Sequence, residues 1–200
     1  MKKALIIFVR NPVLGQVKTR LAATVGDARA LEIYNQLLEH TRNIAAATTA
    51  DKFIFYVEQV TAQDMWSGEG FYKMLQTPGD LGHKMKAAFD TVFMMGFGQV
   101  VIIGSDCLQL TTPVIEMAFY ELQKVDAVIG PAIDGGYYLL GLKRACNAVF
   151  EKKEWSTATV FADSIADFQS LGLSFKVLPT LTDVDTESDW ISSQTPAKDR

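Results

Sequence analysis

Two cysteines, two histidines and no long apolar run are what this 200-residue chain has to work with. Cys107 and Cys146 lie far apart and form no CxxC, which excludes a disulfide framework and a thiolate metal knuckle. His40 and His83 have no second histidine nearby, which argues against zinc. No stretch approaches the roughly 18 apolar residues of a membrane span. A basic excess is missing too: 19 Lys and Arg stand against 23 Asp and Glu, a net charge of −4. A general nucleic-acid binder needs cations to displace the counterions of the phosphate backbone, so nucleic acid is not an expected partner. Gly 14 and Pro 6 are too few for a collagen-like or low-complexity chain. Lys2 and Lys3 precede six apolar residues, Ala4 to Val9, but Arg10 ends that run without a small-residue cleavage site. It reads as a buried strand and not as a signal peptide. The expected compartment is the cytoplasm, without membrane contact.

What is present is apolar. Hydrophobic residues make up 48% of the chain and aromatics 10%, which excludes disorder. The length suits one domain, expected over residues 1–192 with a frayed tail at 193–200. Charge is uneven. Residues 1–26 hold Lys2, Lys3, Arg10, Lys18 and Arg20 and no acid, giving +5, so the remainder carries −9. A basic opening on an acidic chain suggests a local anion site.

The apolar run at 3–9 reads as a central strand apolar on both faces, those at 52–57, 100–104 and 126–130 as further strands, and 71–76 as a weaker one. Helical periodicity runs from Asp27 to Thr48 and from His83 to Met95. Further helices are expected after Thr112-Pro113, with Thr112 as cap, and from Ser156 to about Leu171. A last strand falls at 174–178, and a terminal helix begins within Asp183–Asp189. Strands alternating with helices imply a single-domain α/β fold, a Rossmann-like three-layer sandwich on a mostly parallel sheet. The stretch Gly135–Leu142 follows a strand too closely for a crossover helix, so it should run antiparallel.

In such sheets ligands bind beyond the carboxyl ends of the strands. Arg10, Lys18 and Arg20 follow the first strand, Ser105 and Asp106 the fourth, Asp134, Gly135 and Gly136 the fifth, and Asp183 and Asp185 the last. Cations and carboxylates gathered at one edge suit a metal-bridged phosphate. The first loop is not a P-loop, because Lys18 lacks the adjacent glycine, and no GxGxxG opens a helix. Each residue also has a plainer reading. Arg10–Leu21 could be a solvated basic loop. Asp106 could cap a turn, and Asp134 could fix the Gly135-Gly136 turn. Asp183 or Asp185 could serve the dipole of the helix that follows. Tyr137 and Tyr138 alternate, so one should face the crevice. Cys107 reads as a small buried filler, His40 as a surface residue and Trp155-Ser156-Thr157 as a helix cap.

An ordered set of motifs resembles a known family. Phe8-x-Arg10-x-Pro12-x-x-Gly15-x-x-Lys18-Thr19-Arg20-Leu21 is followed by Gly79-Asp80-Leu81-Gly82 and Gly104-Ser105-Asp106-Cys107. Then come Gly130-Pro131-x-x-Asp134-Gly135-Gly136-Tyr137, Trp155-Ser156-Thr157 and Asp183-Val184-Asp185-Thr186. This resembles the bacterial small GT-A-like transferases, also called selenodomain-associated transferases, of the nucleotide-diphospho-sugar transferase superfamily. The resemblance covers nearly the whole chain. It departs at Leu108, where the family has proline, and at His83-Lys84, where it has Glu-Arg. Lys84 keeps the positive charge without the bidentate fork.

The resemblance implies the following assignments. Arg10, Gly15, Lys18, Arg20, Gly82, Lys84 and Ser105 would bind nucleotide phosphates. Asp106 and Asp185, or Asp183 in place of Asp185, would hold Mg²⁺ or Mn²⁺. Asp106, Asp134 and Lys18 would be catalytic, and Gly135, Gly136 and Tyr137 would face the acceptor. The expected activity is metal-dependent glycosyl transfer from a nucleotide-sugar to a small acceptor. The alternative is nucleotidyl transfer from a nucleoside triphosphate to a phosphorylated acceptor, with pyrophosphate release. A third reading is a non-catalytic nucleotide-binding regulator.

Overall fold

The structure, a computed structural model, describes residues 1–194. Seven strands form one sheet: β1 (Lys3–Val9), β2 (Asp51–Tyr56), β3 (Phe71–Leu75), β4 (Gln99–Ile103), β5 (Ala127–Pro131), β6 (Tyr137–Leu142) and β7 (Phe175–Val177). Their spatial order is β3-β2-β1-β4-β6-β5-β7. All run parallel except β6, which pairs antiparallel with β4 on one side and β5 on the other. The expected antiparallel insertion at 135–142 is therefore central to the sheet.

The apolar runs become strands because both of their faces are covered. Leu5, Ile7 and Val9 of β1 face the cluster formed with α2 (Asp27–Ala46) and α4 (Thr112–Glu121), where Tyr34, Leu38, Ile115 and Phe119 are buried. Ala4 and Ile6 point the other way, against α3 (Leu81–Met94) and α5 (Val160–Ser170), where Phe89, Val92 and Phe168 are buried. The period-2 alternation of β1 thus splits one apolar run between two cores. A third, smaller cluster lies at one end, where Leu21 of α1 (Thr19–Val25) meets Ile33, Leu37 and Val184, with Trp190 of α6 (Glu187–Gln194) against it. Leu108, the residue standing in place of the family's proline, packs on this cluster. The three-layer mixed sandwich read from the sequence is the observed fold.

Several local expectations are corrected. Helix α1 stands where a loop was expected, and its stability comes from burial of Leu21 rather than from a side-chain cap. Helix α4 is capped by the backbone of Thr111. Thr112 already lies inside the helix, and its Oγ1 donates to the Ile44 carbonyl at 2.9 Å. Helix α5 begins at Val160, because Ser156 sits at φ 64°, outside helical space. A 3₁₀ turn over Asn147–Phe150 packs under α5 and α3 and carries no periodic signal. His40 is half-buried, its Nε2 at 2.8 Å from the Leu110 carbonyl oxygen. Helix α6 runs to Gln194, and the rest of the expected tail, residues 195–200, lies outside the described residues. No helix among the described residues is long and apolar enough to cross a membrane.

Phe119 tests this layering, since its ring is fully buried between α4 and the sheet. Phe119→Ala should lower the unfolding free energy by about 3–5 kcal/mol in urea titration, the usual result of emptying an aromatic site in a packed core.

Candidate active site

The parallel strands β1 and β4 lie side by side and end together, which fixes where their following residues meet. Tyr34 of α2 joins the two ends. Its hydroxyl accepts from the Arg10 backbone N–H at 2.9 Å, donates to the Arg10 carbonyl at 3.1 Å, and lies 3.4 Å from Ser105 Oγ. Burial raises the Tyr34 pKa, so it remains a neutral phenol. The sequence shows Tyr34 only as one member of a helical apolar stripe. Its hydroxyl is the site feature that periodicity misses. Asn11, also buried, performs the same service toward β2: its side chain donates to the Gln59 carbonyl and accepts from the Glu58 N–H.

Beyond Arg10 the chain turns at Gly15, whose φ of 74° suits glycine. It returns so that Lys18, at φ 47° and ψ 46°, precedes α1. A left-handed conformation costs a non-glycine residue about 1–2 kcal/mol. It aims the lysine stem inward. The side chain is 8% exposed, and its ammonium donates to Asp106 Oδ2 at 3.0 Å and Asp185 Oδ1 at 3.1 Å. Burial works against that charge, but the two carboxylates outweigh it and the Lys18 pKa is raised. Arg20 reaches Asp185 Oδ2 from the solvent side at 3.2 Å.

Asp106 sits in a sharp turn after β4. A methyl group at Gly104 would stand 2.8 Å from Asp106 Oδ1, so glycine there leaves room for the carboxylate. The carbonyl of Asp106 accepts from the Val184 N–H at 2.8 Å, tying the turn to the Asp183-Val184-Asp185 segment. Val184 is fully buried in the third cluster. Its neighbours consequently point toward the cleft: Asp185 to the cations, Asp183 inward beside Cys107. One oxygen of Asp183, Oδ1, is buried without a hydrogen-bond partner. Burial, then the charge of Asp106, push its pKa up to about 7. The Cys107 thiol is raised by its own burial and by Asp183, so it is the neutral filler that the sequence suggested.

These groups open onto a cleft of about 580 Å³ lined by Arg10, Lys18, Arg20, Lys84, Ser105, Asp106, Tyr137, Asp183 and Asp185 among others. Arg10 and Lys84 have no ion-pair partner among the described residues. Tyr137 faces the cleft with its hydroxyl 3.6 Å from Met85 Sδ. Tyr138 faces the other way, donating to the Pro179 carbonyl at 2.9 Å.

Five of the expected site residues lie outside the lining. Gly15 shapes the loop. Asp134 is exposed and closes its own turn, Oδ1 accepting from the Gly136 N–H at 2.9 Å, while its charge still acts on Asp183. Gly135 is a close-approach point, where a Cβ would lie 2.0 Å from the Ala158 carbonyl oxygen. Gly136 follows it in the same turn. Gly82 lies under the Trp155 indole, where a Cβ would meet Nε1 at 2.2 Å. Trp155 is thus a lid on the start of α3 and not a helix cap. Among the described residues no group of three or more His, Cys, Asp or Glu is placed to hold a metal.

Residues 40–157 match the family described as an uncharacterized protein conserved in bacteria, DUF2064. The chain belongs to this family. No curated protein matches it. The DUF2064 chain is similar, at 34% identity and a TM-score of 0.86, to a candidate nucleotide-diphospho-sugar transferase from Desulfovibrio desulfuricans G20, over 93% of this chain and 84% of that one. The resemblance carried by the ordered motifs is thereby borne out. It also shares its fold with 4-diphosphocytidyl-2C-methyl-D-erythritol synthase from Anaerococcus prevotii DSM 20548, at 12% identity and TM-score 0.64, over 96% of this chain and 94% of that one. A Mycobacterium tuberculosis H37Rv protein in complex with manganese shares it at 12% identity and TM-score 0.60, over 96% and 98%.

The Gly82–Trp155 contact can be tested directly. Gly82→Ala should expel the indole, red-shift tryptophan emission and lower Tm, whereas unchanged emission would contradict the packing. Trp66, buried elsewhere, and Trp190, packed against the third cluster, provide the constant background.

Proposed function

We propose that this DUF2064 protein is a nucleotide-diphospho-sugar transferase that moves a glycosyl group from a nucleotide-sugar to a small acceptor, with residues 1–192 acting as one transferase domain. The observation that carries this is the charge arrangement at the sheet edge. Among the described residues Arg10 and Lys84 have no ion-pair partner, beside a cleft where Lys18 and Arg20 face Asp106 and Asp185. Unpaired cations beside paired carboxylates suit a polyphosphate that arrives with a divalent cation. The Desulfovibrio relative bears the name of such a transferase.

The residues present fit Mg²⁺ or Mn²⁺. Asp106 and Asp185 offer hard oxygen donors across a short gap, and Asp183 adds a buried oxygen that nothing satisfies. Magnesium is commonly held by one or two carboxylates plus substrate phosphates, so a three-ligand protein cage is not required. The Mycobacterium tuberculosis neighbour that takes manganese has the same fold. When bound, such a cation neutralises the charge that develops on the departing phosphate.

The protein's own groups would do the rest. Arg10 and Arg20 offer forked donors to phosphate oxygens, Lys18 and Lys84 point charges, and Ser105 a hydroxyl. Gly15 shapes the loop after β1, and Gly82 the first turn of α3 that carries Lys84. Tyr137 would face the acceptor, with the Gly135-Gly136 turn just before it and outside the cleft lining. In glycosyl transfer the bond from anomeric carbon to diphosphate oxygen breaks and a bond to the acceptor oxygen forms. The acceptor proton passes to a carboxylate, for which Asp134 is the candidate, its Oδ2 being free of the turn bond.

A second reading rests on the same cations. If phosphates draw Lys18 and Arg20 off their carboxylates, four cations line the cleft, which suits a nucleoside triphosphate, attack by an acceptor phosphate on the α-phosphorus and release of pyrophosphate. Phosphorus NMR with Mg²⁺, nucleoside triphosphates, nucleotide-sugars and pooled acceptors separates the two. Nucleoside diphosphate from a nucleotide-sugar is the expected result, and pyrophosphate from a triphosphate would favour the second reading. Binding without any turnover would leave a regulator.

Asp106→Asn should abolish turnover with the fold retained in circular dichroism. Arg20→Ala should weaken nucleotide affinity several-fold in calorimetry, and unchanged affinity would remove the basic loop from the site.

A further inference from the structure

Lys18 stands where a cation shared by two carboxylates must stand. Its ammonium lies 3.0 Å from Asp106 and 3.1 Å from Asp185. Those are ammonium distances. Magnesium binds oxygen at about 2.0–2.1 Å, so a divalent ion at the position of the Lys18 ammonium would need each carboxylate about 1 Å nearer. Lysine and a divalent ion therefore cannot share that position, and the carboxylates as placed are bridged by the lysine.

Charge points the same way. Lys18 and Arg20 already balance Asp106 and Asp185, and Arg20 takes the second oxygen of Asp185. A bare divalent cation entering beside two resident cations meets repulsion that a single further carboxylate, Asp183, does not offset. A cation that arrives on a polyphosphate brings its own negative charge, and that charge gives the Lys18 ammonium a new place to go. The flexible four-carbon stem of lysine permits the move. The left-handed backbone that aims Lys18 inward is a local cost kept in the free state.

We infer that Lys18 is the resident cation between Asp106 and Asp185, bridging the two carboxylates and ceding its position to a divalent cation only when that cation comes with nucleotide phosphates. The substrate form is therefore the metal–nucleotide chelate, and free metal does not load first. This rests on the reading of the cleft as a nucleotide site, but the central test needs no nucleotide.

The test is Mn²⁺ binding to the full chain, read from loss of the free-ion EPR signal. Wild type should leave the signal of Mn²⁺ alone unchanged into the millimolar range and quench it when inorganic pyrophosphate is added, beyond quenching by pyrophosphate alone. Lys18→Met should bind Mn²⁺ alone at least tenfold more tightly than wild type. Adding Asp106→Asn to that variant should remove the gain. Lys18→Gly, which accepts the left-handed backbone without strain, is the second variant and should behave as Lys18→Met does. Thermal melts give a fold-sensitive readout: millimolar Mn²⁺ should raise Tm of the Lys18 variants and not of wild type. Wild type binding Mn²⁺ alone as tightly as the variants, or variants showing no gain, would overturn the inference. A gain in the variants together with no nucleotide binding by wild type would instead sink the nucleotide reading and leave the role of Lys18 standing.

Discussion

One ammonium group ties this site together. Lys18 joins the loop after β1, the turn after β4 and the segment before α6, three stretches separated in sequence by 88 and 167 residues from their partners. Remove that charge and two carboxylates face each other across a half-buried gap with Asp183 behind them. Breaking a part-buried pair leaves an uncompensated charge, which is why such clusters are sensitive to single substitutions. The polar array works as an assembly because the scaffold under it is apolar and fixed. Val184 is the clearest instance: a fully buried side chain whose backbone N–H holds Asp106 while its two neighbours supply carboxylates to the cleft.

The scaffold places chemistry by strand register. Because β1 and β4 run parallel and adjacent, whatever follows Val9 must meet whatever follows Ile103. Tyr34 turns that proximity into a defined geometry by bonding both Arg10 backbone groups and reaching Ser105. On the far side, the antiparallel β6 brings Tyr137 to the cleft by the shortest route. Close approaches at Gly82 and Gly135 let the 155–158 segment settle against it.

Much of this was legible in the sequence for a physical reason. Strands covered on both faces must be apolar throughout, so β1, β4 and β5 stand out without periodicity. The topology of parallel sheets then assigns Arg10, Lys18, Asp106 and the Asp183-Val184-Asp185 triplet to one edge. What escaped was anything set by tertiary contact. Helix α1 has no side-chain cap and forms because Leu21 has a pocket. Trp155 resembles a capping aromatic until Gly82 is found beneath it. Asp183 and Asp185 are indistinguishable as letters, and only the burial of Val184 between them sends one to the cations and the other into an unsatisfied pocket beside Cys107.

The most direct test is a crystal structure with a non-hydrolysable nucleotide-sugar analogue and manganese, with anomalous data at the manganese edge. The expected result is an anomalous peak between Asp106 and Asp185, phosphates against Arg10, Arg20 and Lys84, and the Lys18 ammonium moved off the carboxylates. Nucleotide bound elsewhere, or a metal seated with Lys18 still bridging Asp106 and Asp185, would contradict it.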